Sequence, residues 1–393
     1  MRKIFLILLI CLIFFTSKFP VYARSEIENR IDDTVEKQLE KLELQEIDKF
    51  ITQVDKEVKQ HLPELSLKGM LDAVKEGNLD LSFSEIFKGL VRYLFKELVA
   101  ESALLGKLII LAVICAILQN LQSAFEKGTI GKLAYSVTYL VLITIALGSF
   151  TFAVNTASDT IETMVNFLQA LLPVLLTLLA AMGGVSSAAI IHSFTTVSLG
   201  VIATLIKTVL LPLIYFSAIL GILSHLSDKF NVSRLSGLFK EAIKVFLGLT
   251  STIFLGLLSI QGLAGAVTDG IALRTAKYAT GAFVPVVGGM LSGAFETIIG
   301  ASILLKNSIS LVGAIVLLMI VIFPMLKILA LSLIYKLAAA IVQPFGDNKI
   351  GEALETMGKS ITLVFAALAV VSIVFFISLS VIVGLANLTA MIR

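Results

Sequence analysis

The sequence predicts an all-α, polytopic membrane protein with a cleaved signal peptide and an N-terminal extracytoplasmic helical region. The first observation is composition: 57% of the 393 residues are hydrophobic and the mean hydropathy is +0.98, outside the range of soluble globular proteins. The second is a series of long apolar runs that begins near residue 104. The third is a basic, then apolar, N-terminus.

Residues 1–23 have the features of a secretory signal peptide. Arg2 and Lys3 precede an apolar run over residues 4–15, which is shorter than the roughly 20 residues needed to span a bilayer. The segment ends in Val-Tyr-Ala, and its small last residue predicts cleavage after Ala23. An uncleaved anchor helix is the alternative.

Residues 24–101 form a polar region with 18 acidic and 12 basic residues. Apolar residues between 27 and 58 recur at helical spacing, and shorter amphipathic helices are predicted at 66–76 and after Ser82, which has capping-box spacing to Glu85. The region is either a small helical domain or a surface on which an extracytoplasmic partner assembles. A partner would cover its apolar side chains, such as Ile47, Phe50 and Val54.

Residues 102–393 are predicted to form a membrane domain with about eight spans. In this prediction Lys207 marks an outer turn, and a loop with Asp159 and Glu162 also lies outside. The apolar runs cover residues 104–121, 133–154, 165–182, 187–206, 209–226, 245–264, 311–334 and 361–385.

A Gly-rich segment at 281–305 is predicted to be broken or re-entrant, because Gly and Pro interrupt it where its neighbours are solidly apolar. Glu296 shares a helical face with its small residues, and an ionisable group at membrane depth is a functional candidate. A local pairing of Glu296 with Lys306 is the alternative. The candidate functional or packing residues are Glu296, Gly289, Gly293, Gly300, Pro285, His192 and Lys327.

His192 and Lys327 are ambiguous in the sequence. His192 near the start of a span suits packing, and Lys327 can extend its amine toward a headgroup region. A relay through Glu296, Lys327 and His192 is the alternative.

The sequence carries no catalytic, cofactor, metal-ligand or nucleic-acid motif. Gly358 is predicted to end a short helix at 348–357.

The distribution of basic residues predicts topology. Lys127, Lys132 and the basic loop 229–244 are expected in the cytoplasm if residue 24 lies outside. The next segment leaves two possibilities. If 281–305 crosses fully, Lys336, Lys349 and Lys359 lie outside; if it re-enters, they are cytoplasmic and the C-terminus is outside. The positive-inside rule favours the second.

Several stretches resemble the stage III sporulation protein AE family of endospore-forming bacteria. They are the runs 105–126 and 167–184, the SAAIIH segment 187–192 and the run 283–310. The resemblance implies a component of a channel complex that joins mother cell and forespore during engulfment, in the mother-cell membrane surrounding the forespore. It further implies partners from the same operon, including a cytoplasmic secretion-type ATPase and ring-forming intermembrane-space proteins. It carries no catalytic residues.

A second function class remains open from the residues: a secondary transporter with its site at the broken segment around Glu296.

The variant Glu296→Gln keeps the side-chain shape and removes the charge. A transport or relay role predicts lost sporulation at a normal protein level. Sporulation at the parental frequency, measured as heat-resistant colonies, would show that the charge is dispensable and that this position serves packing.

Overall fold

The helical architecture is seen in a computed structural model, which describes residues 45–61, 83–124, 129–226, 232–283, 287–345 and 348–391. The predicted signal peptide with cleavage after Ala23, the helix at 66–76 and Pro285 lie outside these residues. The described residues are almost entirely helical, which confirms the all-α prediction for them.

Nine α-helices make up the described part of the chain. The helices are α1 Gln45–His61, α2 Phe83–Ala100, α3 Ser102–Ala124, α4 Thr129–Ala181, α5 Val185–Leu205, α6 Leu211–Leu226, α7 Ser233–Phe283, α8 Val287–Val342 and α9 Asn348–Met391. A π-helical turn, Ile206–Leu210, joins α5 to α6, so these two form one continuous rod.

Five long apolar segments are candidates to cross a membrane among the described residues, and a sixth is possible if α2 and α3, which meet at 46°, form one bent span. Each of these segments is longer than the roughly 20 residues that a bilayer requires. The five are Leu133–Ala181, Val185–Ser224, Ser233–Ile260, Ile298–Val342 and Lys349–Gly384.

Two predicted turns between spans were wrong. Residues 155–164, with Asp159 and Glu162, are helical within α4, and Lys207 lies in the π-helical turn and not in a loop. The polar residues of 155–164 share one face of a helix whose other faces are apolar, so their average polarity suggested a loop. The structure therefore has fewer and longer helices than eight separate spans.

The segment 281–305 is divided between two helices, because α7 ends at Phe283 and α8 begins at Val287. From Val287 onward it is helical without a break to Val342 and so merges with the predicted span 311–334. Whether the segment crosses the membrane or re-enters stays a prediction. Gly289, Gly293 and Glu296 belong to this helix, and their side chains are not among those described. Gly300 is half-buried, and the adjacent Ala301 is fully buried, as expected of small residues at a helix contact.

A glycine turn reverses the chain between α4 and α5. The N–H of Gly184 donates to the Leu179 carbonyl at 3.0 Å and the N–H of Gly183 donates to the Ala180 carbonyl at 2.9 Å. This is the Schellman pattern, and Gly183 takes the left-handed conformation that it requires, with φ of 93°. The turn lets α5 pack back along α4.

The N-terminal helices pack against the membrane bundle. Ile47 and Val54 of α1 are 4% exposed, and the Phe50 ring lies edge-on to Phe167 of α4, with centroids 5.5 Å apart. The prediction that this apolar face awaits a partner was therefore wrong for α1: the chain covers the face itself. The amphipathic pattern of α1 showed that the helix has one apolar face. The pattern could not show whether that face is buried by the rest of the chain or by a partner.

Basic residues from the starts of α7 and α9 and from the last part of α8 meet at one end of the bundle, which we call the basic end. Ser236 near the start of α7 donates to the Ser217 carbonyl at 2.9 Å, and Lys240 lies close enough to Lys359 to interact with its charge. Gly358 packs against Lys336. The lysines of α8 and α9 therefore lie at the same end of the bundle as Arg234, Lys240 and Lys244. This arrangement agrees with the topology in which Lys336, Lys349 and Lys359 are cytoplasmic, and in the structure it results from the long helices.

Gly358 does not end a helix, because α9 continues to Met391. A Cβ on Gly358 would lie 3.0 Å from Lys336 Cγ and 3.3 Å from the Ser332 carbonyl, so glycine permits a close approach of α9 to α8.

We expect Gly358→Leu to lower the amount of folded protein in membranes and its melting temperature in detergent. Gly256→Leu, at a helical position with open space around it, is the matched control. Equal effects of the two would contradict this packing role.

Candidate functional site

The three sequence candidates that could form a relay are not shown together. His192 is exposed near the start of α5, and Lys327 is half-buried with Nζ 5.0 Å from the centre of the Phe152 ring. His192 lies about 22 Å along the helix axis from Lys207, at 1.5 Å per residue. Lys327 lies on the opposite side of Lys207, toward the basic end. Among the described residues no three His, Cys, Asp or Glu side chains come together as metal ligands.

An ion pair between Glu162 of α4 and Lys207 of the π-helical turn is the main charged contact between long helices in the described part. The Lys207 amine donates a hydrogen bond to the Glu162 carboxylate, and these side chains are 29% and 58% exposed. A π-helical turn inserts one extra residue per turn and reorients the side chains on it. At this turn the side chain of Lys207 reaches α4, in a rod whose other residues are mostly apolar.

The ion pair is level with the middle of an uncharged helix. The run 361–384 of α9 is about 36 Å long as a helix and has no charged residue. Its Val371 and Val374 line a small cavity together with Ile202 and Ile206, and Ile206 directly precedes Lys207. The charges of Glu162 and Lys207 therefore lie at the depth at which α9 is suited to the centre of a bilayer.

A narrow polar face of α4 extends from this ion pair along the helix; we call it the α4 stripe. Almost every other side chain in the second half of α4 is buried, whereas the stripe is exposed over about 33 Å of helix. Pro173 lies on the same face and has no N–H to donate to the carbonyl of Gln169. The members of the α4 stripe are Asn155, Asp159, Glu162, Asn166, Gln169 and Thr177.

Asp269 is a buried acid that the sequence prediction missed. It is 1% exposed, and its two carboxylate oxygens accept hydrogen bonds of 2.9 Å from the backbone N–H groups of Ser186 and Ser187. These groups open α5, where N–H donors lack partners within the helix and negative charge is favourable. The available signal in the sequence was that Asp269 is the one acidic residue in its stretch of α7. Its hydrogen-bond partners lie more than 80 residues away, so the sequence did not indicate them.

Lys306 is a second buried charge, 1% exposed, on the half of α8 away from the basic end. Its Nζ donates to the carbonyl oxygen of Val383 on α9 at 3.0 Å. A lysine on one helix that binds a backbone carbonyl of the next fixes their relative position, since a buried amine without hydrogen bonds is costly. The predicted pairing of Lys306 with Glu296 stays a prediction.

The Glu162–Lys207 contact allows a charge-swap test. Either Glu162→Lys or Lys207→Glu brings two like charges together, which we expect to destabilise the detergent-purified protein by about 1 kcal/mol or less, because the pair is partly exposed. The double variant restores opposite charges and should recover the parental melting temperature. If the double variant melts as low as the sum of the two single effects predicts, the residues do not interact.

Comparison with known proteins gives a family match. The family model described as stage III sporulation protein AE matches residues 65–386. Stage III sporulation protein AE of Bacillus subtilis (strain 168) is 45% identical over 352 residues, which cover 90% of this chain and 88% of that protein. No solved structure matches. The resemblance seen in the sequence is confirmed, and the chain belongs to the stage III sporulation protein AE family.

Proposed function

We propose that this protein is a structural or channel membrane component of a complex that links mother cell and forespore during engulfment and supports forespore development. Membership of a sporulation family over nine tenths of the chain is the observation that carries the proposal. The long apolar helices supply the membrane part. The mother-cell membrane around the forespore is the location that this role requires.

The basic end supports an orientation for the protein. Positively charged residues near membrane segments favour the cytoplasmic side, and α7, α8 and α9 all place lysines there. We infer that the basic end faces the mother-cell cytoplasm and that the C-terminal end of α9 lies across the membrane. The N-terminal region of residues 24–101 is then in contact with the extracytoplasmic solvent, as the signal peptide predicts, and its helices α1 and α2 reach into the bundle from that side.

The two surfaces would meet different partners. A cytoplasmic secretion-type ATPase can approach the basic end, where Arg234 and Lys244 are exposed. Ring-forming proteins of the intermembrane space can approach the opposite side. The energy for transport would come from the ATPase, since the sequence carries no nucleotide-binding motif.

A co-purification experiment tests this role. A functional, C-terminally tagged protein is purified from sporulating cells with mild detergent. We expect it to recover other proteins of its operon. The double variant Lys240→Glu with Lys244→Glu should lose the cytoplasmic partner, because exposed charge governs the association of such surfaces. The double variant with Arg at both positions keeps the charge and is the matched control.

Three outcomes decide the proposal. Recovery of none of the operon proteins with the functional tagged protein contradicts membership of a complex. Normal forespore development in a strain that lacks the gene contradicts a required role. A cytoplasmic partner retained by the Glu variant contradicts docking at the basic end.

A further inference from the structure

We propose that the side of the bundle formed by α1 and the α4 stripe faces a water-filled passage at bilayer depth, and that further copies of this chain close that passage. The inference rests on the proposed function, because it names the surface that lines the conduit. It depends on two observations: the depth of this side, and its polarity compared with the side formed by α7.

The depth follows from contacts between helices. Phe50 of α1 packs on Phe167 of α4, one turn from Leu171. Leu171 lines a cavity with Leu379 of α9, which lies within the uncharged run 361–384. The polar helix α1 is therefore docked at the level at which α9 has the composition of a bilayer-spanning helix.

A second N-terminal helix is docked at a similar level. Tyr93 of α2 lies edge-on to Phe323 of α8, with ring centroids 5.1 Å apart. Phe323 is midway between Lys306, which bonds to Val383, and Lys336, which packs on Gly358. These two contacts mark the two ends of the α9 run, so α2 also packs near mid-depth. Exposed residues of α2 at this level include Lys88 and Arg92, next to the exposed rings of Phe87 and Phe95, so α2 is mixed in character where α1 is polar.

The polarity of the two sides differs at this one level. Phe246 and Leu247 of α7 line the cavity that includes Val371 of α9, so α7 passes through the same depth on another side of the bundle. The exposed large side chains of α7 there are apolar: Val245, Leu249, Ile253, Leu257 and Ile260. In α1, where the side chains of residues 45–56 are described, the exposed residues are instead all polar: Gln45, Glu46, Asp48, Lys49, Thr52, Gln53 and Lys56.

A bundle with one apolar and one hydrophilic side cannot be surrounded by lipid. Carboxylates, amines and amides exposed to hydrocarbon are strongly unfavourable, and charged residues inside membranes face other protein or a water-filled cavity. The α7 side suits lipid. The side with α1 and the α4 stripe requires water or protein at this depth.

Two cavities between the described helices are too small to serve as a passage. Each has a volume of about 10 Å³, room for about one water molecule, and is lined almost entirely by apolar side chains. We therefore place the passage on the hydrophilic side of each subunit, where other protein must close it from outside. Identical copies arranged around an axis achieve this, since each then turns the same side toward the centre.

The chemistry of the wall indicates what it accommodates. Amide and hydroxyl groups dominate the α4 stripe, and Lys207 neutralises Glu162. Such a surface exchanges hydrogen bonds with water and with small polar solutes, and it offers no apolar pocket that would retain a hydrophobic ligand. We therefore infer a hydrated path for polar solutes.

Cysteine labelling tests the inference in the full-length protein. In a Cys11→Ala, Cys115→Ala background, single cysteines replace Asn166 and Gln169 on the α4 stripe or Ile253 and Leu257 on α7 at similar depth. In membranes, a charged thiol reagent should modify the stripe cysteines at least about tenfold faster than the α7 cysteines, because charged molecules do not enter hydrocarbon. A fluorophore on the α7 cysteines should be quenched by lipids brominated at mid-chain, and one on the stripe should not.

Three results would overturn the inference. Stripe cysteines that react slowly and are quenched like those on α7 face lipid. Fluorophores on α7 that escape mid-chain quenching show that this level lies outside the bilayer. Protein in nanodiscs that stays monomeric by light scattering, with equally fast stripe labelling, has no copies to close a passage. These measurements need only this chain, so failure to recover operon partners would contradict the proposed function separately.

Discussion

The burial of the second half of α4 is the constraint on which the rest of the structure depends. Helices α5, α8 and α9 all contact it, and α1 docks on it as well. Side chains such as Phe167, Leu171 and Leu175 are at most 2% exposed. Within a bilayer the hydrophobic effect does not drive helices together, so this close packing must come from van der Waals contact and a few hydrogen bonds. Small residues make it possible, and a Cβ on Gly313 would meet Leu171 at 2.6 Å.

Polar contacts set the register of the helices around that core. Asp269 binds the first N–H groups of α5, Lys306 binds the Val383 carbonyl, and Glu162 binds Lys207. Each contact joins two different long helices, and the three lie at different heights. An apolar interface between helices tolerates sliding, whereas a buried donor that must meet its acceptor does not. These contacts therefore specify the arrangement that packing stabilises.

The sequence predicted helix content and family, but it placed helix ends less well. Apolar runs and glycines suffice to recognise a membrane bundle, and the turn at Gly183 lies where the prediction separated two spans. Composition failed at 155–164, because polar residues on a single exposed helical face average to the polarity of a loop. It failed for Lys207 because a single lysine in an apolar stretch long enough for two spans was taken to mark the turn between them. The contacts of Asp269, and the docking of Ile47 and Val54, depend on residues distant in sequence, so no local pattern could reveal them.

The two failures at 155–164 and Lys207 have a common origin that bears on function. A helix that crosses lipid alone must be apolar all round, and the rules for counting spans assume this. Asn155, Asp159 and Glu162 violate the assumption in a helix whose other faces are buried in protein. The residues that disrupted the span count are thus those that a conduit needs, because only a helix packed into a bundle can present a polar face at membrane depth. The same reasoning explains why α1, whose exposed residues between 45 and 56 are all polar, can remain docked at that depth.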